Sequence, residues 1–546
     1  MSYSVASAIV AEFERHSLKR AYCVPGESYL AVLDALYSST ISIVTCRQEG
    51  GAAYMAMAEG RLTGRPGLVM VTRGPGAANA MIGIHCAYEE GVPLIALIGL
   101  PALSSRGTRA FQEFELEQWF STTAKQVVVI DEPDHARSAV DNAIRLANSG
   151  RPGPVVIGVP EDVLKCSVDP APKEDFLDEP TDECVSGAVG AACQLTAVVD
   201  RSQRPIMVIG DDHLSEEAAR KVEEWCGERS IPIVADFRSY GLIDNSAKTY
   251  VGSLGVGKAW DIADWFVESD LVIYLGCVRS DINSDHVSEA YNKPTIVVGS
   301  AEMIPFHAGR MDALIEVRAD DLIRGLQDSD AVVAVPEGRH EWMRRGRKAY
   351  NLSQEVSPTI KPGGRLECYS TTAQLVGAVR DLLPPGTVIT YGAGTYTCVP
   401  QTLIPAKGHK TVLGTRNGSM GFGIPAAVAA KVTMPDAPVV SFAGDGDFLM
   451  NGQELATALM EKAPIVVIVV DNSRYGTIQD HQEREFPGRV SGTMLENPDF
   501  EHYAQAFGCD YLTAEDVLSN PVLFSSALGN NVPTIIYVKE NNDSVF

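Results

Sequence analysis

Short runs of Val and Ile recur along the chain between longer stretches whose apolar residues follow a helical period. The clearest are 67–72 (GLVMVT), 155–159 (VVIGV), 206–209 (IMVI), 271–275 (LVIYL), 439–443 (VVSFA) and 465–470 (IVVIVV). Strands that are apolar at nearly every position belong to sheets covered on both faces, and their alternation with helices makes those sheets parallel. The pattern predicts an α/β chain that begins with a helix. Two stretches break the rhythm. Residues 166–184 are acidic, hold three prolines and predict a linker. Residues 331–364 hold the basic run Arg344, Arg345, Arg347 and Lys348, then Pro358, Pro362, Gly363 and Gly364. They predict a second linker, with the basic run as a solvated helix face. Domains are therefore expected at 1–165, 185–330 and 365–546.

An internal echo sharpens this division. Residues 68–99 can be laid on 439–472: in each, an apolar strand ends at a Gly-x-Gly turn, Gly74 to Gly76 or Gly444 to Gly446. A helix follows, and a proline, Pro93 or Pro464, opens another buried strand. Two copies of one unit imply two domains of the same fold with a third between them. Ligands of open α/β sheets gather at the carboxyl ends of strands, so both glycine turns mark candidate sites.

Composition narrows the partners. The chain has 546 residues, enough for about three domains, and its 45% apolar and 21% charged content is that of a soluble globular protein. A net charge of −25 repels phosphate backbones and anionic lipid, so neither nucleic acid nor membrane is expected as a partner. The longest apolar stretch, Val92 to Leu103, is too short to span a bilayer and is broken by Gly99 and Pro101. The first residues lack the pattern of a secretory signal. Eleven scattered cysteines without a CxxC pair fit reduced thiols in a cytoplasm.

The second glycine turn carries the chemistry. Asp445 follows a buried strand, where a carboxylate is costly unless paired or bound to a cation. The next strand ends at Val470, Asp471 and Asn472. Neighbouring strand ends bring Asp445 and Asn472 together. With the carbonyl of Arg474 they offer the hard oxygen ligands that Mg²⁺ takes. The helix after Gly446 points its amino end at the same place, which favours a diphosphate.

The window 444–472 resembles the thiamine diphosphate signature, and most closely its acetolactate synthase-like branch. The resemblance extends through VPGE (24–27), RQEGGAA (47–53), TGRPG (63–67), GPGAAN (74–79), AFQE (110–113), GRPGP (150–154) and GSMGFGIP (418–425). It implies three doubly wound parallel-sheet domains, namely pyrimidine-binding, middle and diphosphate-binding. It also implies sites between two subunits of a homodimer or a dimer of dimers. The activity implied is a thiamine diphosphate- and Mg²⁺-dependent lyase or carboligase. Such an enzyme decarboxylates a 2-oxo acid and passes the resulting enamine to an aldehyde or keto acid.

Residue roles follow from the same resemblance. Glu49 takes the place of the catalytic glutamate, which bonds a pyrimidine ring nitrogen and favours the imino tautomer. Pro25, Gly26, Gly74 and Asn79 accompany it. Met420 falls where a large apolar side chain bends the cofactor, and the carbonyl of Gly418 accepts from the pyrimidine amino group. Ala393, Gly394, Thr395, Tyr396, Gly444, Gly446, Asp447, Tyr475 and Gly476 join Asp445 and Asn472 around the diphosphate. Asp445, Asn472 and Arg474 form the metal set. Phe111, Gln112, Thr477 and His481 line the substrate side, with Gln112 and His481 as catalytic candidates. His85 is expected to be a helix residue packing beneath the sheet.

Departures from the family bear on the substrate. Thr395 and Tyr396 stand where biosynthetic acetolactate synthases carry a Gln-His pair. Ile282 stands where they hold the second keto acid with an arginine, although Arg279 lies nearby. His481 replaces a tryptophan. Residues 296–301 (IVVGSA) lack the acidic residue of flavin-binding and nucleotide-binding relatives, so neither FAD nor an ADP activator is expected. The segment 111–114 (FQEF) also resembles 2-hydroxyacyl-CoA lyases and oxalyl-CoA decarboxylases. A thiamine diphosphate-binding sensor or scaffold without fast turnover is the reading from another class.

Overall fold

The computed structural model describes residues 3–170, 182–211, 214–257, 262–284, 290–327, 335–354 and 370–540. Three six-stranded sheets follow one another along the chain. The first contains β1 (Arg20–Cys23), β2 (Ser42–Thr45), β3 (Gly67–Thr72), β4 (Leu94–Leu100), β5 (Gln126–Val129) and β6 (Pro154–Pro160). The second contains β7 (Pro205–Ile209), β8 (Ile233–Ala235), β9 (Tyr250–Ser253), β10 (Leu271–Leu275), β11 (Thr295–Gly299) and β12 (Ala313–Glu316). The third contains β13 (Val388–Tyr391), β14 (Val412–Leu413), β15 (Val439–Gly444), β16 (Val466–Asp471), β17 (Asp510–Thr513) and β18 (Thr534–Lys539). The six apolar runs are all strands, the last displaced by one residue.

The internal echo is a repeat of topology. The first sheet runs β2-β1-β3-β4-β6-β5 and the third β14-β13-β15-β16-β18-β17, the same order when each is counted from its own first strand. The second runs β12-β11-β10-β7-β8-β9, with its switch point between β7 and β10. Every paired strand is parallel, as in Leu94–Leu100 on Pro154–Pro160. The central strands are buried on both faces.

The glycine turns differ from expectation. Helix Arg73–Glu90 begins directly after β3, and helix Asp445–Asn451 directly after β15. The glycines thus sit in or beside a first helical turn and let other backbone come close. A Cβ on Gly83, one of the small residues of the first of these helices, would lie 2.5 Å from that of Ala53. The helix carrying Ala53, Glu49–Thr63, packs in turn on Gly423–Thr433 of the third domain. One apolar cluster, with Tyr54, Ala56, Phe422 and Ala427 among its members, is continuous across the first and third domains.

The second linker needs correction. Within 331–364 the chain forms a 17-residue helix, Glu337–Ser353, packed on the middle domain. Trp342 stacks on Trp265 with ring centroids 4.6 Å apart, and buried Arg339 donates to the carbonyl of Ser202 at 2.8 Å. Charged residues hid the packing of this helix because Arg339 and Arg347 find carbonyl acceptors rather than water. Arg344 and Arg345 are exposed, but Arg347 donates to the carbonyls of Asn245 and Tyr250. Of the linker positions, 171–181, 331–334 and 355–364 lie outside the described residues, and helix Asp182–Val199 begins within the last three residues of the first linker.

The contact between this helix and Trp265 has no slack. A Cβ on Gly346 would lie 1.6 Å from the indole. Gly346→Ala should therefore destabilise the middle domain by about 1–3 kcal/mol, read from denaturant unfolding of the intact protein.

Candidate active site

A cavity of about 580 Å³ opens at the carboxyl ends of β13, β15 and β16. Loop residues Ala393–Thr397, the turn Gly444–Asp447 and residues Asn472 and Arg474–Ile478 form one side. The segment Thr415–Gly418 with Met420 closes another, and Phe237, Arg238, Val256, Asp281 and Ile282 of the middle domain form the far wall. Every residue expected around a diphosphate or a metal lines this space. Strand pairing explains why: Gly444 is in register with Val470, so Asp445 and Asn472 leave neighbouring strands side by side.

The acidic residues are buried and differently held. Asn497 Nδ2 donates to Asp445 at 2.7 Å and to Asp471 at 2.9 Å. Burial pushes the Asp445 carboxyl up; the bond from Asn497 opposes this and the charge of Asp471 adds to it. Burial acts on Asp471 too, but bonds from Tyr537, Lys539 and Ser473 hold it below the usual range. Asn472 Oδ1 accepts from the amide of Arg474 at 3.2 Å across a left-handed Ser473.

Asp447 braces the wall. Its carboxylate accepts from the Gly421 amide at 2.7 Å, from Tyr396 Oη at 2.9 Å and from the Ala393 amide at 3.3 Å. Burial pushes it up to about 6 against these bonds. A Cβ on Gly392 would sit 2.0 Å from this carboxylate, so glycine is required there.

A second group of expected residues gathers in the first domain, outside the cavity. Glu49 opens its helix, and Asn79 Nδ2 donates to Glu49 Oε2 at 2.9 Å. A Cβ on Gly76 would come within 3.5 Å of the same carboxylate. The Gly74 amide donates to the carbonyl of Gln112 at 3.0 Å, and Gln112 takes a left-handed backbone. Phe111 is 74% exposed beside it. Pro25 and Gly26 lie on the loop after β1, where a Cβ on Gly26 would overlap Thr72. His85 is half-buried on helix Arg73–Glu90.

On the substrate side the structure separates the expected residues. Thr477 lines the cavity, whereas His481 lies one helical turn further on, exposed and against Arg484. Ile282 is on the wall. Arg279 is fully buried within the middle domain, bonding Tyr274 Oη and the carbonyls of Tyr291 and Arg310.

Three residues that line or brace the site escaped the sequence. Asn497 had no motif to mark it. Arg238 had a weak signal, its place just after a middle-domain strand, where ligands of α/β sheets collect. Glu454, fully buried in the third domain, accepts from the amides of Arg47 and Gln48, each at 3.1 Å, and from Thr457 Oγ1 at 2.6 Å. It fixes the residues just before Glu49.

Comparison with known proteins agrees with this arrangement. Family models match residues 3–119 as "Thiamine pyrophosphate enzyme, N-terminal TPP binding domain", 193–317 as the central domain and 392–538 as the C-terminal TPP binding domain. The chain belongs to the thiamine pyrophosphate enzyme family. It is 28% identical over 553 residues to the acetolactate synthase large subunit of Corynebacterium glutamicum, covering 97% of this chain and 86% of that one. It is 27% identical over 543 residues to the acetolactate synthase isozyme 2 large subunit of Escherichia coli, covering 98% and 95%. A probable acetolactate synthase large subunit of Methanocaldococcus jannaschii is 28% identical over 551 residues, covering 97% and 91%. Strands β1–β4 of the first sheet and β14–β17 of the third lie within the two TPP-binding matches, and the whole second sheet lies within the central-domain match.

The clamp from Glu454 gives a local test. In Glu454→Ala the Arg47 and Gln48 amides lose their shared acceptor, which leaves donors unpaired at a cost of about 1–3 kcal/mol. Hydrogen exchange at the Arg47 and Gln48 amides should quicken by about tenfold or more.

Proposed function

We propose that this chain is a thiamine diphosphate- and Mg²⁺-dependent carboligase of the acetolactate synthase kind, taking a 2-oxo acid as donor and an aldehyde or keto acid as acceptor. The observation that carries this reading is the cavity itself, where buried Asp445 meets Asn472 at adjacent strand ends in a thiamine pyrophosphate enzyme. Its volume falls within the range of small-molecule sites, about 300–1,000 Å³. The residues present fit the cofactor. Asp445, Asn472 and the carbonyl of Arg474 are oxygen donors of the type Mg²⁺ takes. Gly418 has a φ of 72° with open space where a side chain would be, so its backbone is accessible from the cavity.

When bound, thiamine diphosphate supplies the electron sink that lets a 2-oxo acid lose CO₂. The chain supplies the rest. Asp445, Asn472 and Arg474 hold the metal against the diphosphate, while Ala393, Gly394, Thr395, Tyr396, Tyr475 and Gly476 enclose it. Met420 and the Gly418 carbonyl orient the ring. Glu49 holds a proton for the pyrimidine nitrogen, and Asn79 fixes the rotation of its carboxylate by bonding one oxygen. Phe111 excludes water, and Gln112 and Thr477 face the substrate, while His481 stands outside the cavity.

Glu49 and the cavity do not meet within one chain, so a second copy completes each site. The exposed apolar residues Ile82, Phe111, Met450 and Met494 offer surface that such a homodimer buries. Cys23, Cys46, Cys86, Cys226 and Cys509 are buried and form no disulfide, which fits a cytoplasmic enzyme.

Subunit mixing tests this reading. Glu49→Gln and Asp445→Ala should each lower turnover of a 2-oxo acid by at least about 100-fold. Coexpressed, the two variants should regain a measurable fraction of wild-type activity, because one site of each mixed dimer is intact. Failure of every mixture to exceed the single variants would reject sites shared between subunits. Removing Mg²⁺ with a chelator should abolish calorimetric binding of thiamine diphosphate, and adding it back should restore binding.

A further inference from the structure

Three arginines line the cavity, Arg238, Arg416 and Arg474. Arg416 is ion-paired with Asp236 at 2.7 Å. Arg238 makes no ion pair among the described residues, and its Nε and Nη1 have no hydrogen-bond partner there, although only 3% of the residue is exposed. A cation buried to this depth is costly unless an anion shares its site.

The side chain is held in place without being used up. Nη2 donates to Thr397 Oγ1 at 3.1 Å and reaches the Gly392 carbonyl at 3.5 Å. The guanidinium lies 4.9 Å from the ring centres of both Phe237 and Tyr391. Its backbone is left-handed, with φ 64°, an uncommon conformation for a residue with a side chain. Stacking and one anchored nitrogen leave three N–H groups for an acceptor.

Neither position from which a substrate-holding arginine was expected supplies a cation to this wall. Ile282 occupies the position at which the family resemblance places a substrate-holding arginine, and Arg279 is consumed inside the middle domain. Thr395 and Tyr396 replace the Gln-His pair expected near a diphosphate, and Arg238 touches the same loop through Thr397.

We propose that Arg238 is the oxyanion-binding residue of this cavity, receiving either the carboxylate of the 2-oxo acid or a phosphate oxygen of the cofactor. The proposal rests on the reading of the cavity as a thiamine diphosphate site, and it deepens that reading by naming the residue that selects for an acidic ligand. Both ligands present paired oxygens that suit a guanidinium fork.

The test compares wild type with R238M and R238K. Calorimetry reads binding of thiamine diphosphate and of inorganic diphosphate, each with Mg²⁺, and of oxalate; steady-state assays read KM and kcat for pyruvate and 2-oxobutyrate. If the partner is a phosphate, R238M weakens both diphosphate ligands by about tenfold or more, and R238K recovers part of the loss. If the partner is a carboxylate, diphosphate binding is unchanged while oxalate affinity falls and KM rises by a similar factor, with kcat changed far less. All of these staying within about twofold of wild type overturns the proposal. Circular dichroism checks folding. Should R238M not fold, R238Q, which keeps donors but no charge, takes its place under the same criteria. Wild type that binds no thiamine diphosphate rejects the cofactor reading, and Arg238 is then judged on inorganic diphosphate and oxalate alone.

Discussion

The cavity depends on a charge that water does not reach. Asp447 sits enclosed at the start of the helix after β15, and its carboxylate is answered by three donors from two separate segments. Removing an ionised carboxylate from water costs several kcal/mol, so the surroundings must arrange themselves to return that energy through hydrogen bonds. That requirement draws the Ala393 loop, the Tyr396 ring and the backbone just beyond Met420 to one point. Asp445, two residues earlier, is thereby fixed beside Asn472. The wall of the site is a consequence of solvating Asp447 with protein.

Much of the fold was legible because apolar runs in parallel sheets need no compensating polar pattern. The repeat of 68–99 in 439–472 foretold two domains of one topology, and the strand order bears this out. The misplaced linker shows the limit. Helix Glu337–Ser353 is rich in arginine, yet Arg339 and Arg347 give their charge to main-chain carbonyls of the middle domain. Composition counts charges and does not see which carbonyls await them.

The candidate site divides in the same way. Asp445 and Asn472 could be named because neighbouring strand ends fix their positions, whereas Thr395 was named through the family resemblance alone. Asn497 and Glu454 act through partners far away in sequence, and neither spacing nor residue type announces them. Glu454 joins the third domain to the segment before Glu49, so the acid of the first domain is positioned by the domain that also carries Asp445. The negative surface, with a formal charge of −25, makes local cations and helix ends the only attraction for acidic ligands.

The space between Gly392 and Asp447 admits one side chain. A Cβ at 392 would stand inside the carboxylate of 447, so these two positions, 55 residues apart, are a single choice made twice in the sequence. A lineage that placed a side chain at 392 would have to shorten residue 447 in the same step or pass through a broken loop. Descent should therefore change the two together, and exchanging either one alone between relatives would transplant half of a lock.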